Sequence, residues 1–109
     1  MAHIQLAEHA KEDINRIEYN TIIYTGDVNM ADRIVDGITA TIHSLSVDPM
    51  RRPFVRDDML ALLGFRWIES GVYYIFYIYD ELASIIYVAR VLHEKMDWQG
   101  ILKGEPYID

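Results

Sequence analysis

The chain has 109 residues, 51% of them apolar and 25% charged, a balance that supports one folded core and excludes wholesale disorder. Seventeen acids against ten basic residues give a formal net charge of −7, which opposes non-specific binding to nucleic acid. The absence of cysteine excludes a disulfide scaffold, a thiolate nucleophile and a cysteine-ligated metal.

Residues 1–109 read as a single domain, with no linker, repeat or low-complexity tract. No signal peptide is visible, and no apolar run approaches the roughly 18 residues of a membrane span, so a cytoplasmic location away from membranes is expected. Ile4-Gln5-Leu6 reads as a short first strand. Ala10, Ile14, Ile17 and Tyr24 then recur at helical spacing opposite Lys11, Glu12, Asn15 and Arg16, predicting an amphipathic helix over about residues 8–24. A four-residue turn at Gly26–Asn29 follows, with Asn29 as the expected N-cap. Ala31, Ile34, Ile38, Ile42 and Leu45 form the apolar stripe of a second helix. Asp32 is expected in its first turn, and Gly37 marks a close approach to the first helix. The short turn implies an antiparallel helical hairpin.

Beyond Pro53 the pattern changes. Asp58–Leu63 reads as a short helix or irregular link. Phe65–Ile68 is β-like, and the β-branched and aromatic runs Val72–Tyr79 and Ser84–Leu92 are strands, so the three form an antiparallel meander. On Val72–Tyr79 the two faces are Val72, Tyr74, Phe76 and Ile78 against Tyr73, Ile75, Tyr77 and Tyr79. On the last strand they are Ile86, Val88, Arg90 and Leu92 against Ile85, Tyr87, Ala89 and Val91. Neither strand has a polar face, so both sides of the sheet need cover. The hairpin covers one side. The tail, Met96–Asp109, reads as one short helix that covers part of the other. The remainder is expected to be an open aromatic groove for a protein partner.

The basic residues are unevenly spread. Residues 51–66 hold Arg51, Arg52, Arg56 and Arg66 against Asp57 and Asp58, so this segment is +2 within an acidic chain. His3, His9, His43 and His93 have no metal-ligand spacing, and no nucleotide-binding or serine-hydrolase motif occurs. No cofactor or metal is implied. One constellation has chemical content. The meander can bring Arg66 towards Arg90 and His93, where two arginines would stabilise charge on a phosphate and histidine would move protons. The competing reading has both arginines paired with acids in a structural role.

The ordered set of motifs resembles a known superfamily. Ala10-x-x-Asp13-Ile14-x-x-Ile17, Ala31-Asp32-x-x-Val35-x-x-Ile38 and Leu45-x-x-x-Pro49-x-x-Arg52-Pro53 lie in the helical half. Gly64-Phe65-Arg66, Tyr73–Tyr77 and Val88-x-Arg90-Val91-Leu92-His93-x-x-Met96-Asp97 lie in the strands. From about Ile4 to Leu102 the chain is similar to the RelE/ParE toxins of type II toxin–antitoxin systems, and within them to the ParE branch. The resemblance implies an α+β fold in the order β-α-α-β-β-β, with a helical hairpin packed on one face of an antiparallel sheet, related in shape to microbial ribonucleases. It implies a plasmid-stabilisation toxin that inhibits DNA gyrase and is neutralised by its antitoxin, meeting DNA only through that antitoxin. The alternative is a RelE-like, metal-independent endoribonuclease acting on ribosome-bound mRNA, with Arg66, Arg90 and His93 catalytic. A degenerate, non-toxic relative is the third reading. The tyrosine expected after His93 in the nucleases is absent, and Met96, Asp97 and Trp98 stand in that stretch as the expected target-binding residues. Arg51, Arg52, Arg56, Tyr73, Tyr77 and Tyr87 are the expected antitoxin contacts.

Overall fold

The computed structural model describes residues 1–104. In chain order it holds β1 (His3–Leu6), α1 (Glu8–Thr25), α2 (Val28–Ser44), α3 (Asp58–Leu62), β2 (Phe65–Ser70), β3 (Tyr73–Asp80), β4 (Ile85–His93) and α4 (Trp98–Lys103). The expected α+β order β-α-α-β-β-β is present, with α3 and α4 as short additions.

The connection between α1 and α2 is tighter than four residues. Gly26, in the left-handed region at φ 68°, closes α1 by donating to the Ile22 carbonyl. Asp27, not Asn29, then caps α2, its carboxylate accepting from the Met30 N–H at 3.0 Å. The helix therefore starts earlier than expected. Asp32 lies beyond its first turn, and that turn contains no acid. Ala31, Ile38, Ile42 and Leu45 of the stripe are buried as anticipated, and Ile34 is half-buried. Gly37 faces the Ser70 side chain at the end of β2 instead of α1. On α1, Ala10 is buried, but Tyr24 is 84% exposed; the buried polar residue of this helix is Asp13.

The sheet order is β1-β4-β3-β2. The meander β2-β3-β4 is antiparallel, but β1 pairs parallel with β4, His3 opposite Ile85 through Leu6 opposite Val88, so the sheet is mixed. β1 leads into the helical hairpin and lies beside the last strand in the same direction, and no local pattern signals that pairing.

Two apolar layers flank the sheet. On the hairpin side, Ile75 and Tyr77 of β3 and Ile86, Val88 and Val91 of β4 meet Ala10, Ile38, Ile42 and Leu45. On the other side, Phe65, Phe76, Ala89 and Leu92 meet Val55, Leu60 and Leu102. The faces of β3 follow the expected alternation. Those of β4 do not, because Phe76 pairs with Arg90 while Tyr77 pairs with Val88, leaving Ala89 as an extra residue. This bulge puts Val88 and Val91 on the same side and turns Leu92 away, so the expected faces hold only up to Ala89.

The tail is part of this second layer. Asp97 caps α4 by accepting from the Gly100 N–H at 3.1 Å. Trp98 stacks on Phe76 at 5.4 Å between ring centres, and Leu102 is fully buried. Lys103 reaches back to Asp57, the cap of α3, at 3.0 Å. The sheet face expected to be open is therefore closed at this end by α3 and α4. A cavity of about 290 Å³ lined by Ala7, Ile78, Tyr87 and Ala89 remains. Residues 105–109 of the anticipated tail lie outside the described residues.

Candidate functional site

The three residues singled out for phosphate chemistry are not gathered into one free cluster. Arg90 sits at the bulge of β4, and its Nε and a terminal guanidinium nitrogen each donate to Asp13 at 2.7 Å. The same carboxylate accepts from the Val91 backbone N–H at 3.0 Å and from Arg16 at 3.3 Å. Asp13 is 2% exposed and Arg90 14%. A carboxylate moved out of water needs this density of donors to remain charged. The arrangement welds the middle of α1 to the last strand.

Arg66 is held differently. It donates to the carbonyls of Arg52 at 2.6 Å and Met50 at 3.2 Å, and its guanidinium lies 3.9 Å from the Phe54 ring centre. Phe54 forms an isolated bridge with Arg66, and the Val55 N–H donates to the Phe65 carbonyl. Arg66 thus fastens the loop after α2 to the edge of the sheet. Of the two readings kept for these arginines, the structural one fits both; Arg90 has its acid, whereas Arg66 takes backbone carbonyls.

His93 ends β4 beside Tyr73, the rings edge-on at 5.6 Å, and its Nδ1 accepts from the Lys95 N–H at 3.1 Å. Both rings line a cleft of about 340 Å³ between the helical hairpin and the end of the sheet. Asp13, Ile17, Tyr24 and Ile34 form its helical wall, and Met96 closes it from the tail. Burial raises the Tyr73 hydroxyl above its ordinary range, so it stays a neutral donor.

The expected contact residues separate into three groups. Tyr77 is removed from the set, since it is fully buried in the hairpin-side core. Its hydroxyl donates to the Pro49 carbonyl at 2.7 Å, and burial pushes its pKa up to about 12. Tyr73 lies at the cleft, while Tyr87, 40% exposed, lies at the open end of the other face. Arg51 and Arg56 are exposed and Arg52 half-buried around the loop that Arg66 secures. Among the described residues of the tail, only Met96 reaches the cleft. Asp97 is occupied as a cap, and Trp98 packs against Phe76 and Trp67.

Asp13 was absent from the expected site residues. Its signal was an acid within the stripe Ala10, Ile14, Ile17, where helical spacing points inwards. Among the described residues, no group of three or more histidines or acids could hold a metal, and no helix is long and apolar enough to cross a membrane.

Residues 4–98 match the family model of the ParE toxin of the type II toxin–antitoxin system parDE. The fold is similar to a chain of the toxin–antitoxin complex RelBE2 from Mycobacterium tuberculosis, with 18% identity, a TM-score of 0.64 and coverage of 84% of this chain and 96% of that one. It is also similar to a chain of the chromosomal ParDE toxin–antitoxin system from P. aeruginosa, with 14% identity, a TM-score of 0.70 and coverage of 85% and 96%. No curated protein matches in sequence.

Proposed function

Because the chain belongs to the ParE toxin family of type II toxin–antitoxin systems, we propose that it acts by binding, as an inhibitor of DNA gyrase held in check by a cognate antitoxin in the cytoplasm. Contact with DNA then comes only through the antitoxin. The observation that carries this reading over the ribonuclease is the state of the two arginines. Charge on a scissile phosphate must be met by preorganised donors aimed at it. Here Arg90 is committed to a buried carboxylate and Arg66 to two backbone carbonyls, so neither is aimed at a site beside His93. Gyrase inhibition instead needs a surface. The cleft lined by Tyr73, His93 and Met96 supplies one, continued by Tyr24 and Met30 at the exposed end of the hairpin.

The test places the purified chain separately with gyrase in a supercoiling assay and with translating ribosomes. Inhibition of supercoiling without cleavage of mRNA is expected, and Met96→Asp should weaken it while leaving the fold intact. Cleavage of mRNA by the wild type, lost in a folded His93→Ala variant, would overturn the reading in favour of the nuclease.

A further inference from the structure

The loop after α2 and the neighbouring Arg66 of β2 carry positive charge that the described residues leave without an ion pair. Arg51, Arg52, Arg56 and Arg66 make no ion pair among the described residues, although the chain holds 17 acids. Arg66 is satisfied by neutral carbonyls, which leave its charge in place. Arg51 and Arg52 line a cavity of about 310 Å³, walled otherwise by Leu45, Val47 and Ile68, with Ser44 and Asp48 completing it. The Nε–H of Arg52 is buried and has no hydrogen-bond partner. A buried guanidinium donor without an acceptor weakens the isolated fold, and an incoming oxyanion removes that cost.

We propose that this cavity is a carboxylate subsite, taking one glutamate side chain of the antitoxin that lies between apolar residues. The inference rests on the toxin–antitoxin reading above and adds to it the chemistry of the contact. Three features select a carboxylate on a peptide over the phosphates of a nucleic acid. The walls Leu45, Val47 and Ile68 suit methylene groups and apolar neighbours. The volume fits a side chain, not a polymer backbone. Two arginines against Asp48 leave the lining one positive charge in excess, which a single carboxylate balances, while the net charge of −7 opposes a polyanion.

The experiment follows the Arg52 Nε–H resonance of the full chain during titration. The probes are acetyl-Val-Glu-Val amide, its Val-Gln-Val counterpart, inorganic phosphate and an oligothymidylate. Saturable movement with the glutamate peptide, at a dissociation constant on the order of 1 mM, and none with the glutamine peptide is expected. Arg52→Lys keeps the charge but loses the planar fork, so it should bind the glutamate peptide about tenfold or more weakly with the rest of the spectrum unchanged. Equal movement with the glutamine peptide would reduce the cavity to an apolar contact and overturn the proposal. Tighter binding of phosphate or the oligothymidylate, or no saturable movement, overturns it as well. Growth arrest by the chain and its rescue by the co-expressed antitoxin are scored separately. Arrest and rescue without peptide binding leave the toxin reading standing and remove the subsite. Peptide binding without arrest or rescue removes the assignment to an antitoxin.

Discussion

Arg90→Ala is the perturbation that best separates a structural arginine from a catalytic one. The substitution removes both guanidinium bonds to Asp13 and leaves a carboxylate that is 2% exposed with the Val91 N–H and Arg16. Arg16 is a weak replacement, because its side chain is 57% exposed and its contact is longer at 3.3 Å. Breaking a buried pair by deleting one partner costs about 3–5 kcal/mol. A domain of this size has roughly 5–15 kcal/mol in total. Each kcal/mol corresponds to about 4–8 °C in Tm, so a fall of roughly 12–40 °C is expected. Urea denaturation followed by fluorescence of Trp67 and Trp98 measures it directly. The companion Asp13→Leu/Arg90→Met variant replaces both charges with apolar groups and should recover most of the loss. Had the arginine been a catalytic group, Arg90→Ala would leave the unfolding midpoint in place and abolish activity. A loss of stability below about 1 kcal/mol in Arg90→Ala would therefore refute the reasoning.

Leu102→Ala should cost about 2–5 kcal/mol, because the side chain is fully buried against Leu60, Phe65 and Phe76, and chain truncated after Met96 should lose cooperative unfolding by calorimetry. The hydrogen bond from Lys103, with that from the Leu60 N–H, holds the Asp57 carboxyl below its ordinary value of 3.8. A depressed folded pKa contributes stability above the unfolded value and loses it as pH falls through the folded one, so the α3–α4 contact should weaken only below about pH 4. Asp57→Asn should flatten that part of the acid-unfolding profile. Tyr77 behaves in the opposite sense. Its raised pKa of about 12 gives stability that is fully present below the ordinary value of 10.0 and lost as pH rises from there towards 12, and Tyr77→Phe should remove this alkaline step in a denaturation series.

Much of the fold was legible because it is written in local periodicity. The stripe Ala31, Ile38, Ile42 and Leu45 needed only the 3.6-residue repeat, and the two faces of β3 needed only the alternation of a strand. Composition likewise placed the arginines of residues 51–66 together against an acidic background. The bulge at Ala89 was not legible, since Ser84–Leu92 alternates as an ordinary strand and the extra residue exists only relative to β3. That one residue shifts Val91 towards the hairpin and sets Arg90 opposite Asp13, a partner 77 positions away in sequence. Tyr77 and Trp98, expected at interfaces, are packed inside for the same reason. An aromatic side chain suits a core and an interface equally well, and only the tertiary path that brings Pro49 over one ring and Phe76 under the other chose between them. Periodicity reports which side of an element is apolar; what lies on that side is decided by contacts distant in sequence, and the buried ion pair, the parallel strand and the closed tail are all of that kind.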